Sequence, residues 1–248
     1  MAKIFIFKLI PAKMVDFKLN IKYNSYMEIK PIAKIYTAFK EKFGIPRQSG
    51  RGVGLVGKIV FEPEYRNVDA IRGIEGFSHL WLIFDFSLNH RTEFSPTVRP
   101  PRLGGNVRVG VFASRSPFRP NNLGLSSVKF IKVETTPDLG AVLIVDGVDI
   151  LDGTPIYDIK PYLLSDCHAD AKVGYSDQTH KLQVEVTPKL FDSITKTVLD
   201  SVISCIEDDP RPSYHDDENR IYKMKFDRYE ISFKVANYLA TILNIEEI

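Results

Sequence analysis

Between Ile29 and Val148, short apolar segments recur at close intervals, and no long amphipathic stretch separates them. They occupy residues 29–36, 55–62, 79–86, 107–114, 126–133 and 141–148. Each is rich in Val, Ile, Leu, Phe or Trp, and most are bounded by Gly, Pro, Asn or Asp, the residues that turn a chain between strands. A doubly wound parallel sheet needs a helix between successive strands, and only residues 67–72 offer even one short helix. The pattern predicts a mainly β domain, a sandwich or a barrel. Segment 79–86 is almost continuously apolar, which predicts a strand buried on both faces.

The pattern changes near Asp166. Residues 182–187 alternate as a strand does. Thr187-Pro188 then sets an N-cap residue before a proline at the first helical position. From there Leu190, Phe191, Ile194, Val198, Leu199, Val202, Ile203 and Ile206 recur at helical spacing, so one helix is predicted, ended by Asp209-Pro210. Strands are expected again at 221–226, 230–235 and 240–245. A small α+β unit over 166–248 thus follows a β domain over 27–165. The chain's 248 residues suit that division. Residues 1–26 stand apart, because a second methionine, Met27, precedes the first convincing strand. They read as an N-terminal extension or upstream start, with an extra edge strand as the alternative.

Net charge is only +2, so global charge does not announce a nucleic-acid partner. Its distribution does. Arg91, Arg99, Arg102, Arg108, Arg115 and Arg119 lie within residues 91–122, which contain no lysine and one carboxylate, Glu93. That excess marks a local footprint for an anionic partner. Cys167 and Cys205 lie far apart and form no CxxC pair, which fits a reducing compartment. The run IFIF near the start is too short for a membrane span or a signal-peptide core. A soluble, cytoplasmic protein is expected.

Several standard sites are missing. There is no GxGxxG at a strand–helix junction, no HExxH and no GxSxG. Gly50, Gly52, Gly54 and Gly57 lack the Lys-Ser/Thr pair of a P-loop. Asp166, His168 and Asp170 come from one short run, which reads as a solvated linker rather than a metal site. The informative stretch is RPPRLGGNVRVGVFASRSPFRPNNLGLS, residues 99–126. Arginine's planar fork binds carboxylates and phosphates and stacks on bases. Pro100, Pro101, Pro117 and Pro120 stiffen the loops that carry it, and Gly104, Gly105 and Gly124 permit close backbone approach. The bland alternative is a pair of solvated loops whose arginines meet surface acids. Two further turns, at 44–48 and 149–155, flank predicted strands.

Six motifs, in order, resemble the TsaA-like family: KFGIPRQ (42–48), GIEGFSHLW (73–81), RPPRLGGN (99–106), GVFASRSPFRPN (110–121), LDGTP (151–155) and DDPRPSY (208–214). The last resembles the marker of the longer, two-domain members. The resemblance runs from about Met27 to the C-terminus. It implies a single-sheeted β-barrel with a small α+β C-terminal domain, a homodimer, and S-adenosylmethionine as methyl donor. The implied substrate is tRNA, methylated at N6 of threonylcarbamoyladenosine 37. The missing GxGxxG is then expected, since this family does not use the Rossmann methyltransferase fold.

The resemblance also implies cofactor contacts. They fall on Arg47, Gln48 and Ser49 after the first strand, on Leu88 and Asn89 after the Trp81 strand, on Arg115 and Leu125, and on Asp146, Gly147, Val148 and Asp149. Where the family carries His-Gln, this chain has Ser87-Leu88, with Asn89-His90 one step further on. Ser49 stands where a proline is common. Arg99, Arg102 and Arg119 are the expected substrate contacts, with Arg119 or Arg102 for the threonyl carboxylate and others for phosphates. The urea-like N6 needs to lose a proton, and Asp149 and Asp152 are candidate bases that could equally hold the donor or close a turn. Two other readings stay open: a non-catalytic RNA-binding barrel, and a methyltransferase for a small molecule.

Overall fold

The computed structural model describes residues 28–90, 93–177, 181–212 and 217–248. The 1–26 extension with Met27, Arg91, Ser213, Tyr214 and the Arg102 side chain lie outside the described part. The chain is mainly β, as its segment pattern predicts. Strands β1 (Ala33–Tyr36), β2 (Gly57–Phe61) and β3 (His79–Asp85) are followed by two short strands, β4 (Thr97–Val98) and β5 (Val109–Gly110). Then come β6 (Leu123–Thr136), β7 (Gly140–Asp146) and β8 (Thr154–Pro161). Six of these join in the order β1-β2-β7-β6-β3-β8, and β8 returns to β1, closing the sheet on itself. All its ladders are antiparallel.

Alternation decides which side chains fill the closed sheet. Ala33 and Ile35, Ile59, Leu80 and Leu82, Val128, Leu143 and Val145, and Ile156 are all fully buried. Each large side chain so buried contributes roughly 1.5–3 kcal/mol. Gly124 sits opposite Phe84 in the β3–β6 ladder, where a Cβ would collide with the Phe84 ring. A glycine inside a strand is the cost of that aromatic in the core.

The N-terminal part departs from three expectations. Strand β3 alternates, with His79 exposed and Trp81 and Ile83 half-buried, so only one of its faces is core. The strand covered on both faces is β7, whose Ala141–Val145 are all buried. Segment 107–114 yields only the two residues of β5 and a 3-10 turn, Val111–Ala113, because its one ladder partner is the equally short β4. Its apolar residues are not core except for Val111; Val107 and Phe112 are exposed. Strand β8, which closes the ring, falls in no predicted segment. Residues 67–72 do form a short 3-10 turn, Val68–Ile71, capped by Asn67.

A second, four-stranded sheet has the order β10-β11-β12-β9, built from β9 (Gln183–Val186), β10 (Tyr222–Phe226), β11 (Tyr229–Ala236) and β12 (Leu239–Glu247). Helix α1 (Lys196–Glu207) packs beside it, burying Leu199, Val202, Cys205 and Ile206. The helix starts later than expected. Pro188 opens a 3-10 turn, Pro188–Ser193, and the chain is extended at Ile194 and Thr195 before α1 begins. Buried Ile194 explains the break: its extended backbone carries the side chain into the core.

The two sheets share one apolar cluster. Phe39 meets Phe226 edge-on at 5.5 Å, and Phe43 stacks on Tyr222 and Phe233 at 6.2 and 6.3 Å. Gly44, with φ of 94°, leaves room for Met224 to press on the backbone.

Candidate functional site

Strand direction gathers four loops at one end of the closed sheet. They follow β1, β3 and β7 and precede β6 and β8, and they enclose a cleft of about 460 Å³. Phe84, Phe86, Leu88, Leu123 and Leu125 give it apolar walls, and Lys42, Gln48, Asp85, Asn89, Arg115, Arg119, Ser126 and Asp149 supply polar groups. An apolar cleft with a few converging polar groups is the form of a small-molecule site.

The walls brace one another. Lys42 Nζ donates to Asn89 Oδ1 at 2.8 Å and to the Leu88 carbonyl at 3.2 Å, joining the β1 and β3 loops. Arg115 Nη1 donates to Gln48 Oε1 at 2.5 Å, joining the β1 loop to the arginine loop. Asn122 Nδ2 donates to the carbonyls of Asn89 and Pro117 at 3.2 and 2.8 Å. These bonds hold three of the four loops in one arrangement before any ligand arrives, which reduces the ordering cost of binding.

Asp149 is the distinctive group. Its Oδ1 is buried with no hydrogen-bond partner. Burial pushes the carboxyl up to about 6, against the pull of the Ser126 hydroxyl, the backbone N–H groups of Asp149 and Ser49, and the Arg115 charge. A carboxylate so placed is ionised at neutral pH but holds a proton more readily than a solvated aspartate. Asp152 is placed differently. It accepts from Thr37 N at 2.8 Å and pairs with Lys40 Nζ at 2.8 Å, so it closes the turn before β8 and does not line the cleft.

Of the residues singled out in the sequence, the cleft brings together Arg47, Gln48, Leu88, Asn89, Arg115, Arg119, Leu125 and Asp149. Ser49, Asp146, Gly147 and Val148 stand behind it. Gly147, at φ of 73°, accepts from Gly50 N at 2.9 Å, so the two loops touch backbone to backbone. Asp146 Oδ1 receives Gly147 N at 2.7 Å, and buried Val148 donates to the Leu55 carbonyl at 3.1 Å. Arg99 is exposed outside the lining. Arg119 Nη1 donates to the carbonyls of Val111 and Ser114 at 3.2 and 2.7 Å, and its guanidinium lies 5.8 Å from the Phe112 ring centre. Arg119 therefore holds its own loop together at the edge of the cleft.

Sequence reading missed Lys42, Asp85 and Ser126. Lys42 opens a quoted motif and could have been found there. Asp85 ends β3 and Ser126 lies near the start of β6, where only the ladder register shows which way they face. Asp166 takes hydrogen bonds from Trp81 Nε1 at 2.7 Å and Leu163 N at 3.0 Å, and these lower its pKa, the backbone bond most. Among the described residues no group of His, Cys, Asp and Glu could hold a metal ion.

Comparison with known proteins agrees over nearly the whole described chain. Residues 34–167 match the tRNA-methyltransferase O N-terminal domain, and residues 172–248 match the TrmO C-terminal domain. The tRNA (adenine(37)-N6)-methyltransferase of Escherichia coli is 34% identical over 228 residues, covering 86% of this chain and 95% of that protein. The Eikenella corrodens protein of the same name is 42% identical over 172 residues, covering 67% and 95%. The crystal structure of TrmO from Pseudomonas aeruginosa superposes with a TM-score of 0.74 at 29% identity, over 90% of this chain and 98% of that one. With both domain models matched in order and relatives aligned almost end to end, the chain belongs to the tRNA-methyltransferase O family.

Proposed function

We propose that this protein transfers a methyl group from S-adenosylmethionine to N6 of adenine 37 in tRNA, with threonylcarbamoyladenosine as the modified base. The relatives from Escherichia coli and Eikenella corrodens carry the tRNA (adenine(37)-N6)-methyltransferase name. The observation that carries the reading is the buried carboxylate of Asp149, whose Oδ1 has no partner, in a preformed cleft.

The cleft suits the donor. Its apolar walls fit a nucleoside and a methionine chain, and Asp149 and Asp85 offer negative charge to a cationic ligand. Gln48, Leu88, Asn89, Arg115, Leu125 and Asp149 would hold it, with Ser49, Asp146, Gly147 and Val148 supporting from behind. S-adenosylmethionine supplies an electrophilic methyl group. The protein's share is alignment and proton removal. Asp149 has the burial and basicity to take the N6 proton, and its neighbour Ser126 keeps it oriented. Arg99, Arg102 and Arg119 are read as the tRNA side, meeting phosphates or the threonyl carboxylate. The closed sheet is read as the family's single-sheeted barrel, with domains at 27–165 and 166–248. The assembly is read as a cytoplasmic homodimer, which light scattering tests.

The deciding experiment gives the protein isotopically labelled donor and tRNA with or without the threonylcarbamoyl group, followed by mass spectrometry of the nucleosides. Label on N6 of the modified base alone is the expected result. No label on any nucleoside, with no rise in melting temperature on adding donor, would leave a non-catalytic RNA-binding protein.

A further inference from the structure

The loop that enters the cleft from β1 is not held by the closed sheet alone. Its anchors lie at the end of α1 and in the turn that follows. Asp208 is 6% exposed and accepts from Arg47 N at 3.1 Å and from Arg51 Nε. The Arg47 guanidinium turns away from the cleft's polar groups and donates through Nη2 to the carbonyls of Asp209 and Arg211, at 3.0 and 2.9 Å. One helical turn back, Ser204 Oγ accepts from Val53 N at 2.9 Å, and Ser201 Oγ donates to the Gly54 carbonyl at 2.9 Å. Both ends of segment 47–54 are therefore pinned to the C-terminal part of the chain.

The receiving turn is itself prebuilt. Asp209 adopts φ of 49°, a conformation that aspartate tolerates better than most residues. Its carboxylate is gripped at both oxygens by Arg211, through Nε at 2.8 Å and Nη2 at 2.9 Å. That fork fixes the two carbonyls that meet Arg47. Between the pinned points lies Gln48, whose side chain reaches Arg115 across the cleft. A displacement at Asp208 therefore passes through Arg47 to Gln48 and on to Arg115.

We propose that Asp208 and Arg47 are positioning residues for the donor loop: a buried carboxylate and a guanidinium that lock residues 47–51 onto the C-terminal turn and so set the cleft's affinity for its donor. The proposal rests on the reading of the cleft as the donor site. It gives the C-terminal part a duty in donor binding and makes the Arg47 side chain a strut rather than a ligand contact.

The test uses the full chain with Asp208→Ala and Arg47→Met. Arg47→Met is the milder variant, because its backbone N–H keeps Asp208. Donor affinity is read by calorimetry with S-adenosylmethionine, tRNA affinity by filter binding without donor, and loop order by amide hydrogen exchange of the ligand-free protein. Each variant should weaken donor binding about fivefold or more while tRNA affinity stays within about twofold, because only the preorganisation of the donor loop is lost. Exchange should accelerate over residues 44–51 and stay unchanged in β3 and β7. Wild-type donor affinity in Arg47→Met overturns the proposal. So does acceleration spread evenly through the core, which marks a merely structural role. A wild-type protein that gives no heat with donor removes the donor reading itself, and the proposal with it.

Discussion

The Asp149 carboxylate sits where ionisation is disfavoured, and this has opposite effects on stability and on turnover. The group rises from an ordinary 3.8 to about 6 in the fold. The folded protein therefore binds the proton more tightly than the unfolded chain, and stability is lost as pH climbs from about 4 to about 6. Asp149→Asn removes the penalty. The variant should be more stable to unfolding than wild type at pH 8, by on the order of 1–3 kcal/mol, and the gap should close toward pH 4. Turnover should move the other way, falling by about 10²–10⁴-fold, and wild-type rate should drop as pH falls through about 6. An Asp149→Asn protein that is both active and no more stable would sink the assignment. Arg119 makes a different case. Because it donates to two loop carbonyls, Arg119→Ala should weaken donor binding as well as tRNA binding. A salt dependence shallower by about one unit with donor affinity intact would mean that a phosphate contact dominates instead.

The elements show where sequence pattern is a sufficient guide and where it is not. Strands β1, β2 and β6 lie within or overlap their predicted segments because apolar alternation reports a half-buried ladder directly, and β7 does so because its unbroken apolar run reports a strand covered on both faces. Strand β8 hid because Pro155, Asp158, Lys160 and Pro161 break its alternation, although Thr154 and Ile156 are buried. Segment 107–114 misled for the opposite reason: Val107, Val109 and Val111 alternate but have almost no ladder to join. Most of the cleft was legible from motifs, since loops carrying arginines and prolines keep a recognisable order. Asp85 and Ser126 were not, because their direction depends on register, which only a partner strand fixes. Register also explains Gly124. Gly124→Ala forces a methyl group against the Phe84 ring inside the ladder, and should cost about 1–3 kcal/mol in denaturant unfolding. Pairing it with Phe84→Leu should recover much of that loss, and failure to do so would place the strain elsewhere.

At the scale of the whole molecule, the closed sheet and the four-stranded sheet are joined by a common core rather than tethered. Phe39, Phe43 and Gly44 come from one, and Tyr222, Met224, Phe226 and Phe233 from the other. Calorimetry should therefore record one unfolding transition. Phe226→Ala, a cavity costing about 3–5 kcal/mol, should lower that single transition instead of splitting it in two. The ring of strands also imposes a timetable. Ala33 of β1 pairs with Ile156 of β8, roughly 120 residues later. During synthesis the first strand must wait, with one edge unpaired, until the last has left the ribosome. The walls of the cleft come from 42–48, 84–89, 114–126 and 149–154, so they cannot meet sooner. A nascent chain stalled before Thr154 would carry nearly every ligand-facing side chain and still have no place to put a ligand, and its open β1 edge would be the surface that a chaperone has most reason to cover.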